Sequence, residues 1–255
     1  MRRPAGLLLI AVLLPEPAPA WPAALMESLA RDARRLVPRS LGQLLAQKER
    51  EILAEAHRPS AGVQSLWSDL PGGRLRPATL AALDAQAAEA LALLRERRVS
   101  EGIVKLGALY RIPADLSDPV LGAGPEGYPS GVAREYYAFV AASLEKIPVV
   151  LEDQRALELP AARLPGYWQR LLDRSRIDAP VIRTELFQRG RVVDHRTLDY
   201  RNPVFGVGSL AYSRAVTAIA ATWLALWREA QGDLTRMAVP REVRPIDGRD
   251  GPPQD

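Results

Sequence analysis

Apolar residues three and four apart recur along nearly all of the chain beyond residue 20, and that period limits it most. Leu25, Leu29, Ala33 and Leu36 share one helical face, which Pro22 opens and Pro38 stops. Leu41, Leu44, Leu45 and Ile52 carry a second helix toward Ala56, with Ser40 and Gln43 spaced as a capping box. Leu80, Leu83, Ala87, Leu91 and Leu94 predict a third. Ser100 is the expected cap of a fourth, interrupted by Pro113. A helix from Ser130 to Lys146 and another from Pro160 to Arg174 follow. The clearest is Gly208 to Ala230, where Trp223 and Trp227 are expected in the core. Residues 180–200 read two ways: a short helix from Pro180 to Phe187 closed by Gly190, or the first arm of a hairpin. Residues 57–73 are an expected long connection, and 117–131 an irregular one rich in glycine and proline. The expected fold class is all-α, a single multi-helix domain.

A chain of 255 residues with 47% hydrophobic residues can bury a core without staples. Its formal net charge of +4 is too small for a disordered polycation and is a weak reason to bind nucleic acid. The arginines at 34–35 and at 95, 97 and 98 alternate with acids and read as solvated helix faces. The chain has no cysteine, which excludes a disulfide framework, a thiol nucleophile and thiolate metal sites. It has two histidines, His57 and His195, so a site of several imidazoles cannot be built from one chain.

Residues 1–20 have the three parts of a secretory signal peptide: Arg2 and Arg3, an apolar run from Gly6 to Leu14, and Ala18-Pro19-Ala20 as a cleavage site. The run is about half the roughly 20 residues a spanning helix needs. No later stretch is expected to span a membrane. Export to a bacterial periplasm or the exterior is expected, with a mature chain beginning at Trp21. The domain boundaries read as 1–20 signal peptide, 21–239 helical domain and 240–255 polar, mobile tail.

Several short patterns carry no chemistry on inspection. Gly122-x-Gly124-x-x-Gly127 matches a dinucleotide fingerprint in letters only, since a helix and prolines surround it rather than a strand and a helix start. Gly206-Val207-Gly208-Ser209 lacks the second half of a nucleophile elbow. His195 follows Asp194, but neighbours in extended or turn backbone point apart, so both are expected on the surface. His57 falls at a helix end, where a cation is favoured.

A mature N-terminal Trp ahead of an all-α domain resembles the zinc-dependent phospholipase C family and its relatives, the single-strand-specific fungal nucleases. Three further stretches resemble it: Leu109 to Phe139, Ser65 to Gly73, and Gly208 to Asp233. In that superfamily the N-terminal Trp binds zinc through its amine and carbonyl, and histidines and carboxylates complete a three-zinc cluster that activates water for attack on phosphorus. Carried over position by position, the ligands fall on Met26, Ala56, Leu66, Arg111, Asp115, Leu121, Ala133 and Tyr137. Only Trp21 and Asp115 remain as potential metal ligands. His57 is a displaced substitute, and Arg111 a possible phosphate contact. Arg111 is a permanent cation where a dication should sit, and it could pair with Asp115 one helical turn on.

The resemblance therefore implies a member whose trinuclear site is largely lost. No cofactor is expected, or at most one zinc ion. The expected function is non-catalytic binding in the cell envelope, with a phospholipid head group or another envelope component as partner. The alternative is a phosphodiester hydrolase using a reduced or relocated metal site.

Overall fold

The computed structural model describes residues 21–57, 74–75, 77–123, 127–151 and 153–235. The expected signal segment, most of the 57–73 connection and the expected tail lie outside these residues. The described part is all-α apart from one two-stranded hairpin.

Ten α-helices follow one another among the described residues: α1 (Ala23–Ala33), α2 (Arg39–Gln47), α3 (Glu49–Ala56), α4 (Pro77–Arg95), α5 (Val99–Ala108), α6 (Arg111–Leu116), α7 (Pro119–Gly122), α8 (Val132–Ser143), α9 (Leu164–Leu186) and α10 (Pro203–Glu229). The hairpin β1 (Phe187–Gln188) and β2 (Arg191–Val192) sits between α9 and α10. The axis of the fold is α10, against which α1, α4, α5, α6, α8 and α9 pack. Asn202 caps it by accepting from the Val204 amide at 2.9 Å, and Pro203 fills the first position. Ala211, Ala215, Ala218, Ala220, Ala221 and Ala225 are buried along it, and such small side chains let the surrounding helices approach closely. Trp223 and Trp227 are buried as expected, Trp223 donating to the Gly107 carbonyl at 3.3 Å. Gly107 is required there, because a Cβ would lie 2.4 Å from Ile52 of α3. One apolar cluster runs from Trp21 to Trp227.

Contrary to the expectation for the mature chain, α10 is long and apolar enough to cross a membrane by length and composition. However, 72% of its apolar window is buried inside the protein, as in a core helix.

Local chemistry corrects several expected boundaries. Ser40 is no cap: α2 begins at Arg39, and the Ser40 hydroxyl instead donates to the Asp233 carbonyl at 3.2 Å. The expected second helix breaks at Lys48, whose backbone leaves the helical region at φ −106° and ψ 14°. Arg98 rather than Ser100 precedes α5, and Pro113 lies in the first turn of the separate α6, where its missing N–H costs little. Gly131 rather than Ser130 precedes α8, with a φ of 90° that favours glycine.

The Pro160–Arg174 expectation was too short, since α9 continues through Pro180 to Leu186. Pro180 and Arg176 are both exposed, so the carbonyl that Pro180 leaves without a helical donor is free to bond water. The two readings of 180–200 are each part of the answer. Helix ends at Leu186 and the hairpin starts at Phe187, turning through Arg189 and Gly190 with φ of 51° and 75°.

Candidate functional site

The buried carboxylates of the described residues lie in α6 and just ahead of α7, near the start of α1. The two short helices are joined by Ser117 and Asp118, and Asp118 caps α7 by accepting from the Val120 amide at 2.9 Å. Asp115 and Asp118 are both fully buried. Trp21, just ahead of α1, is buried too, and its indole N–H donates to the Ala114 carbonyl at 3.0 Å. Its ring packs against Tyr136 and Tyr137 of α8, with centroids 6.2 and 6.0 Å away. The Tyr137 hydroxyl donates to Asp118 Oδ2 at 2.7 Å.

Arg111 enters this cluster from α6. Its Nη1 donates to the Ala56 carbonyl at 2.7 Å, and its Nε lies 3.5 Å from Asp115 Oδ2. The other oxygen, Asp115 Oδ1, is buried with no hydrogen-bond partner. Burial pushes the Asp115 carboxyl up to about 7, against the opposing pull of Arg111. Burial also pushes Asp118 up to about 7. There the Tyr137 hydroxyl and the Val120 amide oppose it, the Asp115 charge adds to it, and the Trp21 N–H opposes it. The Tyr137 hydroxyl is held well above its ordinary value by burial and by Asp118.

The structure thus brings together Trp21, Ala56, Arg111, Asp115 and Tyr137. Of the remaining ligand positions implied by the resemblance, Met26 is buried, Leu121 and Ala133 are half-buried, and Leu66 lies outside the described residues. His57 ends α3 exposed on the surface, as its position at a helix end implied, and takes no part in the hydrogen bonds of the cluster. Arg111 is turned toward Ala56 and Asp115, with its side chain only 13% exposed.

A three-zinc cluster does not fit these residues. Met26, Leu121 and Ala133 provide no suitable donor, no imidazole is present, and the Arg111 guanidinium already occupies one side of Asp115. Sequence reasoning missed Asp118. Its signal was local, an Asp-Pro pair that starts a helix.

A second cluster corrects the expectation for His195. Asp194 and His195 do not point apart. His195 Nδ1 meets Glu135 Oε2 of α8 at 2.7 Å and lies 3.6 Å from Asp194 Oδ1, and its backbone N–H also bonds Glu135. Glu135, Asp194 and His195 place their ligand-type atoms within 4.8 Å of one another. Both carboxylates are already engaged, however: Arg134 bonds Glu135 at 3.0 Å and Arg196 bonds Asp194 at 2.6 Å. His195 holds Glu135 below the usual carboxylate range. The arrangement is a charged clasp that docks residues 194–197 on α8. Glu135 and His195 lie 60 positions apart, so no sequence pattern announced it.

Four of the clustered arginines are paired, Arg35 with Asp32 and Arg98 with Glu101 close in sequence, and Arg34 with Glu49 and Arg95 with Glu229 from farther away. Comparison with family models, with curated proteins and with solved structures finds no match.

Proposed function

We propose that this chain is an exported, non-catalytic binding protein of the cell envelope, derived from a zinc-dependent phospholipase C-like scaffold whose metal cavity has been closed. The observation that carries the reading is the placement of Arg111. Its guanidinium spans the Ala56 carbonyl and the Asp115 carboxylate, two of the positions where the resemblance implies metal ligands. Metal-activated water needs an open coordination position and donors with free lone pairs. A guanidinium has none, and Tyr137 spends its hydroxyl on Asp118. Binding then falls to the outer surface, with a phospholipid head group or another envelope component as the partner class.

One observation favours a second reading, a hydrolase with a single remaining metal. Asp115 Oδ1 is buried without a partner beside Asp118, an arrangement that calls for a cation. Zinc content of the mature protein and cleavage of a chromogenic phosphodiester separate the two. Essentially no zinc after dialysis against trace zinc, and no cleavage, is the expected result. Several tightly held zinc ions with chelator-sensitive cleavage would overturn the proposal. One ion lost on Asp115→Ala, with cleavage lost alongside it, would establish the second reading.

A further inference from the structure

The positive charge of the chain is concentrated on one part of the fold. Residues 163–201 contain nine arginines and five acidic residues, so this stretch alone accounts for the formal net charge of +4 of the whole chain. Its main element is α9, whose inner side, with Leu171, Leu172 and Ile182, is buried. The outer side is exposed along the helix. Ile177 stands at its centre at 68% exposure, the most exposed large apolar side chain among the described residues. At about 3.6 residues per turn, Arg170 lies in line with Ile177, Arg174 on one flank, and Arg176 and Arg183 on the other. Arg174, Arg176 and Arg183 form no hydrogen bond or ion pair among the described residues. Arg170 lies over the Tyr167 ring, 5.5 Å from its centroid. Asp173, bonded by Gln169 at 2.8 Å, is the one exposed acid of α9. Asp178 and Glu185 are half-buried and are taken by Arg214 and Asn202.

We propose that the outer side of α9 is a docking face for an anionic phospholipid bilayer, with the helix lying parallel to the membrane plane. The inference rests on the reading of the chain as an exported binding protein, and deepens it by naming the surface and the partner. α9 lies outside the three stretches that resemble the phospholipase C family. Charge complementarity selects the occupant. Four arginines against one exposed carboxylate attract a negative surface, and their stems lie along apolar material while the guanidiniums stay at headgroup level. A helix of 23 residues is about 34 Å long and presents a ridge, which meets a plane of lipid along its length. Ile177 then enters the boundary between headgroups and acyl chains, as the apolar side of an interfacial helix does. A nucleic acid would use the same cations but leave Ile177 in water.

The test is co-sedimentation of the exported protein, its loss of residues 1–20 confirmed by mass, with vesicles of phosphatidylcholine alone or mixed with phosphatidylglycerol. Binding is expected only to the anionic vesicles and is expected to weaken with added salt. Arg174→Gln with Arg176→Gln is expected to lower the partition coefficient about 25-fold, at about five-fold per arginine. Ile177→Ser is expected to lower it about ten-fold. Arg39→Gln with Arg50→Gln removes the same charge from exposed positions on α2 and α3, and is expected to change it by less than about two-fold. All five side chains are exposed, so each variant is expected to keep the wild-type melting temperature. Equal binding to both vesicle types, or equal losses for the α9 pair and the α2–α3 pair, would overturn the inference. So would undiminished binding of Ile177→Ser together with equally tight binding of a duplex oligonucleotide by the wild type. No binding to either vesicle would overturn the inference alone and leave the metal-free reading with another envelope component as partner. Chelator-sensitive hydrolysis of the vesicle phospholipid, with docking still dependent on Arg174 and Arg176, would overturn the metal-free reading and support the docking face.

Discussion

Arg111→Ala tests the closed cavity at its centre. The side chain is 13% exposed and makes two contacts, a 2.7 Å bond to the Ala56 carbonyl and a 3.5 Å approach to Asp115. Losing a charge-assisted hydrogen bond costs about 1.5–3 kcal/mol, and removing one partner of a buried ion pair about 3–5 kcal/mol. The second figure is an upper bound here, because the approach is loose and Asp115, already raised to about 7, escapes by taking a proton. A net loss of about 3 kcal/mol follows, equivalent to a fall of about 6–12 °C in melting temperature for a domain of this size. The assay is urea unfolding of the wild type, Arg111→Ala, Asp115→Asn and the double variant. Asp115→Asn removes the charge that Arg111 faces, so the double variant is expected to fall short of additivity by about 1 kcal/mol. An Arg111→Ala variant within about 0.5 kcal/mol of wild type, and additive with Asp115→Asn, would refute the reasoning.

Three further outcomes follow from the same geometry. Asp115 and Asp118 have carboxyls raised to about 7 by burial, so the folded state holds protons that the unfolded state has lost above roughly pH 4. Stability is then expected to fall as pH rises from about 4 to 7, by up to about 1.4 kcal/mol per pH unit for each group, and urea midpoints that rise over that interval would contradict it. Tyr137→Phe deletes the hydroxyl that donates to buried Asp118 at 2.7 Å and is expected to cost about 2 kcal/mol in urea unfolding; an unchanged midpoint would show that Asp118 does not depend on it. Gly122→Ala would place a Cβ 2.6 Å from the Ser175 backbone, forcing α7 off α9, so a loss of about 2 kcal/mol or more is expected in thermal unfolding, and a neutral result would mean that the two helices separate freely.

Helical periodicity carried the fold class because outer helices bury one stripe each around α10, as Leu25, Leu29 and Ala33 do in α1. Boundaries were less legible where tertiary partners outvote local preference. Ser40 had the right neighbours for a cap, yet its hydroxyl is taken by Asp233, nearly the whole chain away. Pro180 has the chemistry of a helix breaker, but it sits on the exposed side of α9, where the lost bond costs least. For the site, attention to Trp21, Arg111 and Asp115 came from the resemblance alone, whereas the pairing of Arg111 with Asp115 followed from their separation of four. The Ala56 carbonyl was not legible, because a backbone acceptor leaves no mark in a sequence. Asp118 was visible only as a helix start, and its bond from Tyr137 joins residues 19 positions apart on separate helices. The clasp of Glu135 and His195 was hidden for the same reason, being made by a contact between segments far apart in the chain.

The proposed function puts Arg111 and its neighbours where the resemblance implies a metal centre. The most direct measurement is zinc per chain in the exported protein with Trp21 as its first residue, read together with phosphodiester cleavage. The expected result is neither bound zinc nor cleavage, and no gain of either on adding the metal. Stoichiometric zinc that survives dialysis and supports chelator-sensitive cleavage would contradict it.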